Sequence, residues 1–63
     1  MIREKALELM EKGIKVSHRH FTRDEYLYLR GGQVTTEDGY YFADRFFKDP
    51  MFVDGWRVWE PPK

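Results

Sequence analysis

Between Lys12 and Arg23 the charged side chains are Lys12, Lys15, Arg19 and Arg23, with His18 and His20 beside them. This basic stretch is long enough to hold a phosphate or two through charge-assisted hydrogen bonds. It runs into Phe21, and Tyr26 and Tyr28 follow closely. Aromatic rings stack on nucleobases, worth about 1–3 kcal/mol per base. Together these residues describe a site for a planar, phosphate-bearing ligand. Arg19, Arg23 or His18 would hold phosphate, and Phe21 with Tyr26 or Tyr28 would stack on the base.

Residues that break bonds are scarce. His18 and His20 stand two apart and could share a metal, but a metal site needs three or four ligands in fixed geometry. Asp24-Glu25 flanks an expected strand. Glu37-Asp38 falls in an expected turn, where Asp is favoured for backbone reasons. No phosphate-cradling glycine motif precedes a helix, and no nucleophile elbow or zinc-protease signature is present. A binding protein without cofactor or metal is expected, not an enzyme.

The chain has 63 residues and no cysteine, so it is one domain without disulfides or thiolate metal sites. A domain this short buries only about 60% of its unfolded surface. Aromatic residues make up 17% of the chain, and they must fill the core. Self-association would add stability, so a homo-oligomer is expected. The formal net charge is zero. Global attraction to nucleic acid or to an acidic membrane is therefore not expected. No apolar run is long enough to span a bilayer. The charged start Met1-Ile2-Arg3-Glu4 does not read as a signal peptide, and a cytoplasmic protein is expected.

The elements that must position these residues follow from periodicity. Ile2, Ala6, Leu9 and Met10 share a narrow arc at 100° per residue, with Leu7 on its flank, which predicts a helix over Ile2–Lys12. Gly13 is its expected C-cap. A strand then starts at Ile14-Lys15-Val16, and Ser17–Asp24 reads as irregular. Thr22-Arg23-Asp24-Glu25 could open a helix as a capping box. The alternation of Tyr26-Leu27-Tyr28-Leu29-Arg30 instead predicts a strand ending in the hairpin pair Gly31-Gly32. Gln33–Thr36 returns, and Asp38-Gly39 is a second turn leading to Tyr40-Tyr41-Phe42. This register sets Leu29 across from Val34 and Thr36 across from Tyr41. Leu27, Leu29, Val34 and Tyr41 then share one face, and Tyr26, Tyr28, Arg30, Tyr40 and Phe42 the other. Ala43–Lys48 is a helical turn ended by Asp49-Pro50, and Trp56–Trp59 is a last short strand with Trp56 and Val58 on one face. Phe46, Phe47 and Trp56 are expected in the core. The expected fold is a single α+β domain with the N-terminal helix packed on a small antiparallel meander. One helix covers one face. The second face needs the C-terminal segment, another subunit or a ligand.

The order of these signals resembles a family of small phage and prophage proteins. The matching run is Ala6-Leu7-Glu8-Leu9-Met10-Glu11-Lys12-Gly13-Ile14-Lys15-Val16, then Ser17-His18-Arg19-His20-Phe21 and Tyr26-Leu27-Tyr28-Leu29, closing with Asp54-Gly55-Trp56-Arg57-Val58-Trp59-Glu60. The family includes the Thoeris anti-defence proteins of the second type, sponges that sequester cyclic nucleotide immune signals without degrading them. Other relatives are described as Cas9 inhibitors. The resemblance implies an α+β fold that oligomerises with ligands between subunits, in the host cell cytoplasm. The family has an arginine pair where this chain has Ser17 and His18, and a tryptophan where it has Phe21. Its Asp-Trp is spread here into Asp54-Gly55-Trp56, and its middle is longer than the Gly31-Gly32 connection. The ligand expected on this reading is a cyclic nucleotide or a cyclic ADP-ribose-like signal. The alternative is a protein-binding inhibitor of a host defence nuclease. It would use the aromatic face, with Glu37, Asp38, Asp44, Asp49 and Asp54 meeting a basic groove.

Overall fold

The computed structural model describes residues 1–62 and is an α+β domain. Helix α1 (Arg3–Glu11) is followed by β1 (Val16–His18), β2 (Leu27–Arg30) and β3 (Gln33–Thr36). Helix α2 (Ala43–Lys48), a 3-10 turn (Pro50–Phe52) and β4 (Trp56–Val58) complete the chain. The sheet order is β3-β2-β1-β4, with every neighbouring pair antiparallel.

Helix α1 ends where expected. The Gly13 N–H donates to the Met10 carbonyl and the Ile14 N–H to the Leu9 carbonyl, each at 3.0 Å. This crossed pair is a Schellman cap. Ala6 and Met10 are buried on the arc that periodicity predicts. Gly31 and Gly32 both have positive φ, 59° and 80°, as a type I′ hairpin demands. Leu29 pairs with Val34 as expected. Thr22 and Glu25 keep half a capping box without a helix behind it. The Glu25 carboxylate accepts the Thr22 N–H at 2.8 Å, and the chain turns into β2.

The second turn departs from expectation. The Thr36 N–H donates to the Tyr40 carbonyl at 2.8 Å, and Thr35 bridges Tyr41. The loop therefore holds Glu37, Asp38 and Gly39 rather than Asp38-Gly39 alone. A one-residue shift in register exchanges the faces of a strand. Tyr41 leaves the apolar face and is 77% exposed, whereas Phe42 enters the core side against Phe21 and Phe52. Pairing stops at a single bridge, so Tyr40–Phe42 is no strand. The sheet gains its fourth strand on the opposite edge, where β4 lies beside β1.

The core is Ala6, Met10, Val16, Leu27, Val34, Phe46, Phe52 and Trp56. Both helices and the 3-10 turn contribute to it, so they cover one face of the sheet. The Trp56 indole N–H donates to the Phe52 carbonyl at 2.7 Å, which satisfies a donor that burial would otherwise strand. Phe46 is fully buried as expected, but Phe47 is 47% exposed, on the outer side of its short helix. Val58 shares the parity of Trp56 but lies exposed at the sheet edge. No helix among the described residues is long and apolar enough to cross a membrane.

Candidate functional site

Alternation along each strand defines the face that the helices leave open. Val16 pairs with Leu27 and with Val58, and all three point to the helix side or its margin. Ser17 and Arg57 pair with each other and point the other way, as do Tyr28 and Thr35. Lys15, Tyr26 and Trp59 lie just outside the strand ends and continue that parity. The open face therefore collects Lys15, Ser17, Tyr26, Tyr28, Arg30, Arg57 and Trp59.

Its centre is an aromatic and cationic cluster. The rings of Tyr26 and Trp59 lie 4.4 Å apart between centroids, and those of Tyr26 and Tyr28 lie 6.0 Å apart. The Lys15 ammonium stands 4.9 Å from the Tyr26 ring and 5.6 Å from the Trp59 ring, within cation–π range. Ser17 explains how Trp59, on the β4 side, reaches Tyr26, on the β2 side. A small residue on the intervening strand leaves room above it, and its hydroxyl donates to the Glu25 carbonyl at 2.9 Å. The Trp59 N–H donates to the Lys15 carbonyl at 2.9 Å, and its indole N–H donates to the Arg23 carbonyl at 3.0 Å. The ring is held from two sides.

Next to this cluster is an open cleft of about 660 Å³ whose lining includes Ser17, Arg23, Arg57, Trp59, Glu60 and Pro61. That volume lies within the range of small-molecule sites. Arg23 and Arg57 are exposed and supply forked donors suited to phosphate.

The residues singled out from sequence divide between the two faces. Tyr26 and Tyr28 lie on the open face, and Arg23 lines the cleft beside it. His18 does not join them. It has the parity of Val16, is 0% exposed, and packs edge-on to Phe52 and Trp56 at 4.9 and 4.8 Å. Its Nδ1 accepts the His20 N–H at 3.1 Å, so the proton sits on Nε2, which donates to the Asp54 carbonyl at 2.6 Å. Burial pushes its pKa below the ordinary 6.5. A neutral, enclosed and fully bonded imidazole is no phosphate ligand. Phe21 also lies on the helix side. Its ring meets Phe42, Phe52 and Trp56 at 6.0, 5.8 and 5.9 Å, so it is a core ring and no stacking platform. Arg19 is exposed, and its backbone N–H donates to the Gly55 carbonyl at 3.0 Å, which sets it beside the Asp54–Gly55 turn.

Sequence reasoning missed Lys15, Arg57 and Trp59 as site residues. The signal was present in Trp56-Arg57-Val58-Trp59, because period-two alternation that buries Trp56 turns Arg57 and Trp59 outward. No group of three or more metal-ligating side chains converges among the described residues, and His20 has no such partners beside it.

Comparison with protein-family models, with characterised proteins and with solved structures finds no match to the chain.

Proposed function

We propose that this chain is a non-catalytic binding protein that sequesters a cyclic nucleotide or cyclic ADP-ribose-like signal without cleaving it. The observation that carries this reading is the cluster of Lys15, Tyr26 and Trp59 beside the Arg23–Arg57 cleft. The Tyr26 and Trp59 rings are tilted by 46° to each other, so a single ring would stack on a base, and Arg23 and Arg57 line the adjoining cleft, where they would meet its phosphate. The ligand class is that of the phage anti-defence sponges which the sequence resembles, and the setting would be the host cytoplasm. The contact residues are Arg23, Arg57, Tyr26, Tyr28 and Trp59. In a homo-oligomer, a second copy would close the open side of the cleft.

Ligand retention tests this reading. The purified protein is mixed with cyclic mono-, di- and trinucleotides and cyclic ADP-ribose isomers, filtered free of unbound compound, heated, and its released contents separated by chromatography. Release of one unaltered compound supports a sponge. Release of nothing, or of a cleaved product, ends the proposal.

A second reading is a protein-binding inhibitor of a host defence nuclease. Tyr40 and Tyr41 favour it, being 71% and 77% exposed beside Glu37 and Asp38. Exposed tyrosines of this kind are enriched at protein interfaces. A stoichiometric complex with a purified nuclease, lost in Tyr41→Ala, would support it.

A further inference from the structure

We infer that Tyr26, Trp59 and Tyr28 form a binding corner for a quaternary ammonium group, whose place the Lys15 ammonium holds in the free protein. The inference uses the same face as the reading above but a different ligand, and either can fail alone.

Three observations carry it. The first is the angle between the rings. Tyr26 is tilted by 46° to Trp59, with centroids 4.4 Å apart, and by 51° to Tyr28, with centroids 6.0 Å apart. Rings set this way give no flat stack for a run of planar groups. They form a corner, where a compact cation can touch more than one ring, as in the aromatic cages that take choline and methylated lysine. Indole is the strongest of the cation-binding rings, and the Trp59 indole is fixed by its bond to the Arg23 carbonyl at 3.0 Å.

The second is that the corner already holds a cation. The Lys15 ammonium stands 4.9 Å from the Tyr26 centroid and 5.6 Å from the Trp59 centroid. It is in no ion pair among the described residues, so these rings are its partners. Lys15 is exposed, and a cation–π contact made by an exposed lysine is weak. A primary ammonium is also strongly hydrated. A quaternary ammonium has no N–H for water to accept from, so it gives up less on reaching the rings. Lys15 is therefore a tethered competitor that a better-suited cation displaces.

The third is the surroundings. The cleft of about 660 Å³ beside Trp59 has room for the rest of a small ligand. Arg23, Arg30 and Arg57 are matched in number by Asp24 and Glu25, which precede Tyr26, and by Glu60 in the cleft lining. No excess of positive charge therefore repels an incoming cation.

The test is a heteronuclear NMR titration with tetramethylammonium and choline chlorides, followed at the indole N–H signals of Trp56 and Trp59. Sodium chloride and the neutral choline isostere dimethylbutanol are the controls. The expected result is a saturable shift of the Trp59 signal with both quaternary salts and a still Trp56 signal, because Trp56 is buried on the helix side. Lys15→Met should tighten binding about threefold or more by removing the competitor, and Tyr26→Leu should weaken it about fivefold or more by removing a ring. Lys15 is exposed, so its variant remains informative if Tyr26→Leu folds poorly. Equal shifts from dimethylbutanol or sodium chloride, or binding indifferent to both Lys15→Met and Tyr26→Leu, overturn the inference. So does absence of a saturable Trp59 shift, and if a cyclic nucleotide is then still retained, the sponge reading stands alone. Quaternary ammonium binding without retention of any cyclic nucleotide leaves this inference standing and removes the sponge.

Discussion

The indole N–H of Trp59 donates to the backbone carbonyl of Arg23 at 3.0 Å, across 36 residues of chain. This bond ties the segment after β4 to the loop before β2. It sets the Trp59 ring against Tyr26 and places Arg23 at the wall of the cleft.

Trp59→Ala is expected to leave the helix-side core in place and to disorder the open face. The loss is one hydrogen bond and one ring pair, about 1–2 kcal/mol of stability. Ligand retention should fall at least tenfold. Thermal unfolding and the retention assay, run on the same preparation, separate the two effects. A variant that melts as the wild type does and keeps full retention would remove Trp59 from the site.

Phe52→Ala tests the core. Its ring meets His18, Phe21, Phe42 and Trp56. Truncation of a buried phenylalanine costs about 3–5 kcal/mol, against a total of roughly 3–9 kcal/mol for a domain of this length. The variant should be largely unfolded at 37 °C by circular dichroism. Phe21→Ala should also lower stability, since Phe21 packs on the same rings, and unchanged stability with lost retention would return Phe21 to the binding site.

His18 predicts an acid-sensitive fold. Its folded pKa lies below the ordinary 6.5 because burial disfavours the imidazolium. Between those two values the unfolded chain binds more protons than the folded one, so stability falls as pH drops. The neutral ring's full contribution is present above about pH 6.5 and is lost progressively as the pH falls toward the depressed folded value. Protonation also turns Nδ1 into a donor facing the His20 N–H, which breaks that bond. Charged or titratable groups around the ring are His20 and Arg19, both of which oppose a further positive charge. Urea midpoints measured from pH 7.5 to 5 should decline in the wild type. In His18→Gln the curve should start lower and run flatter through that window.

Gly55 predicts a strong position effect. A Cβ there would lie 2.9 Å from His18 Nε2 and 3.0 Å from Arg19 Nε, at a φ of 92°. Gly39 has a similar φ of 89° with open space around it. Left-handed backbone alone costs a non-glycine residue about 1–3 kcal/mol. Gly55→Ala should therefore destabilise more than Gly39→Ala, and equal unfolding midpoints for the two variants would refute the contact.

Local chemistry made much of the fold legible in advance. The arc of Ala6 and Met10, the Gly13 cap, the Gly31-Gly32 turn and the Leu29–Val34 pairing are set by residues close in sequence. Asp38-Gly39 was ambiguous because Gly suits both two- and three-residue hairpin loops. That single residue decided whether Tyr41 or Phe42 faced the core. His18 was misplaced for a different reason. Its basic neighbours suggested a surface, while its parity with Val16 pointed inward, and burial against Phe52 and Trp56 is a contact between distant segments.

The sequence by itself therefore determined the first helix and its cap, the Gly31-Gly32 hairpin and an α+β class, because caps, glycine φ values and apolar periodicity act over a few residues. It also determined that rings and cations were available in one chain of zero net charge. Only the tertiary structure decided which of them meet. Placing β4 beside β1 brings Trp59 and Arg57 to Tyr26 and Lys15, and packing both helices on one face withdraws His18 and Phe21 into the core. Strand order is a long-range choice, settled by which pairing buries the most apolar surface. No local pattern carries that sum.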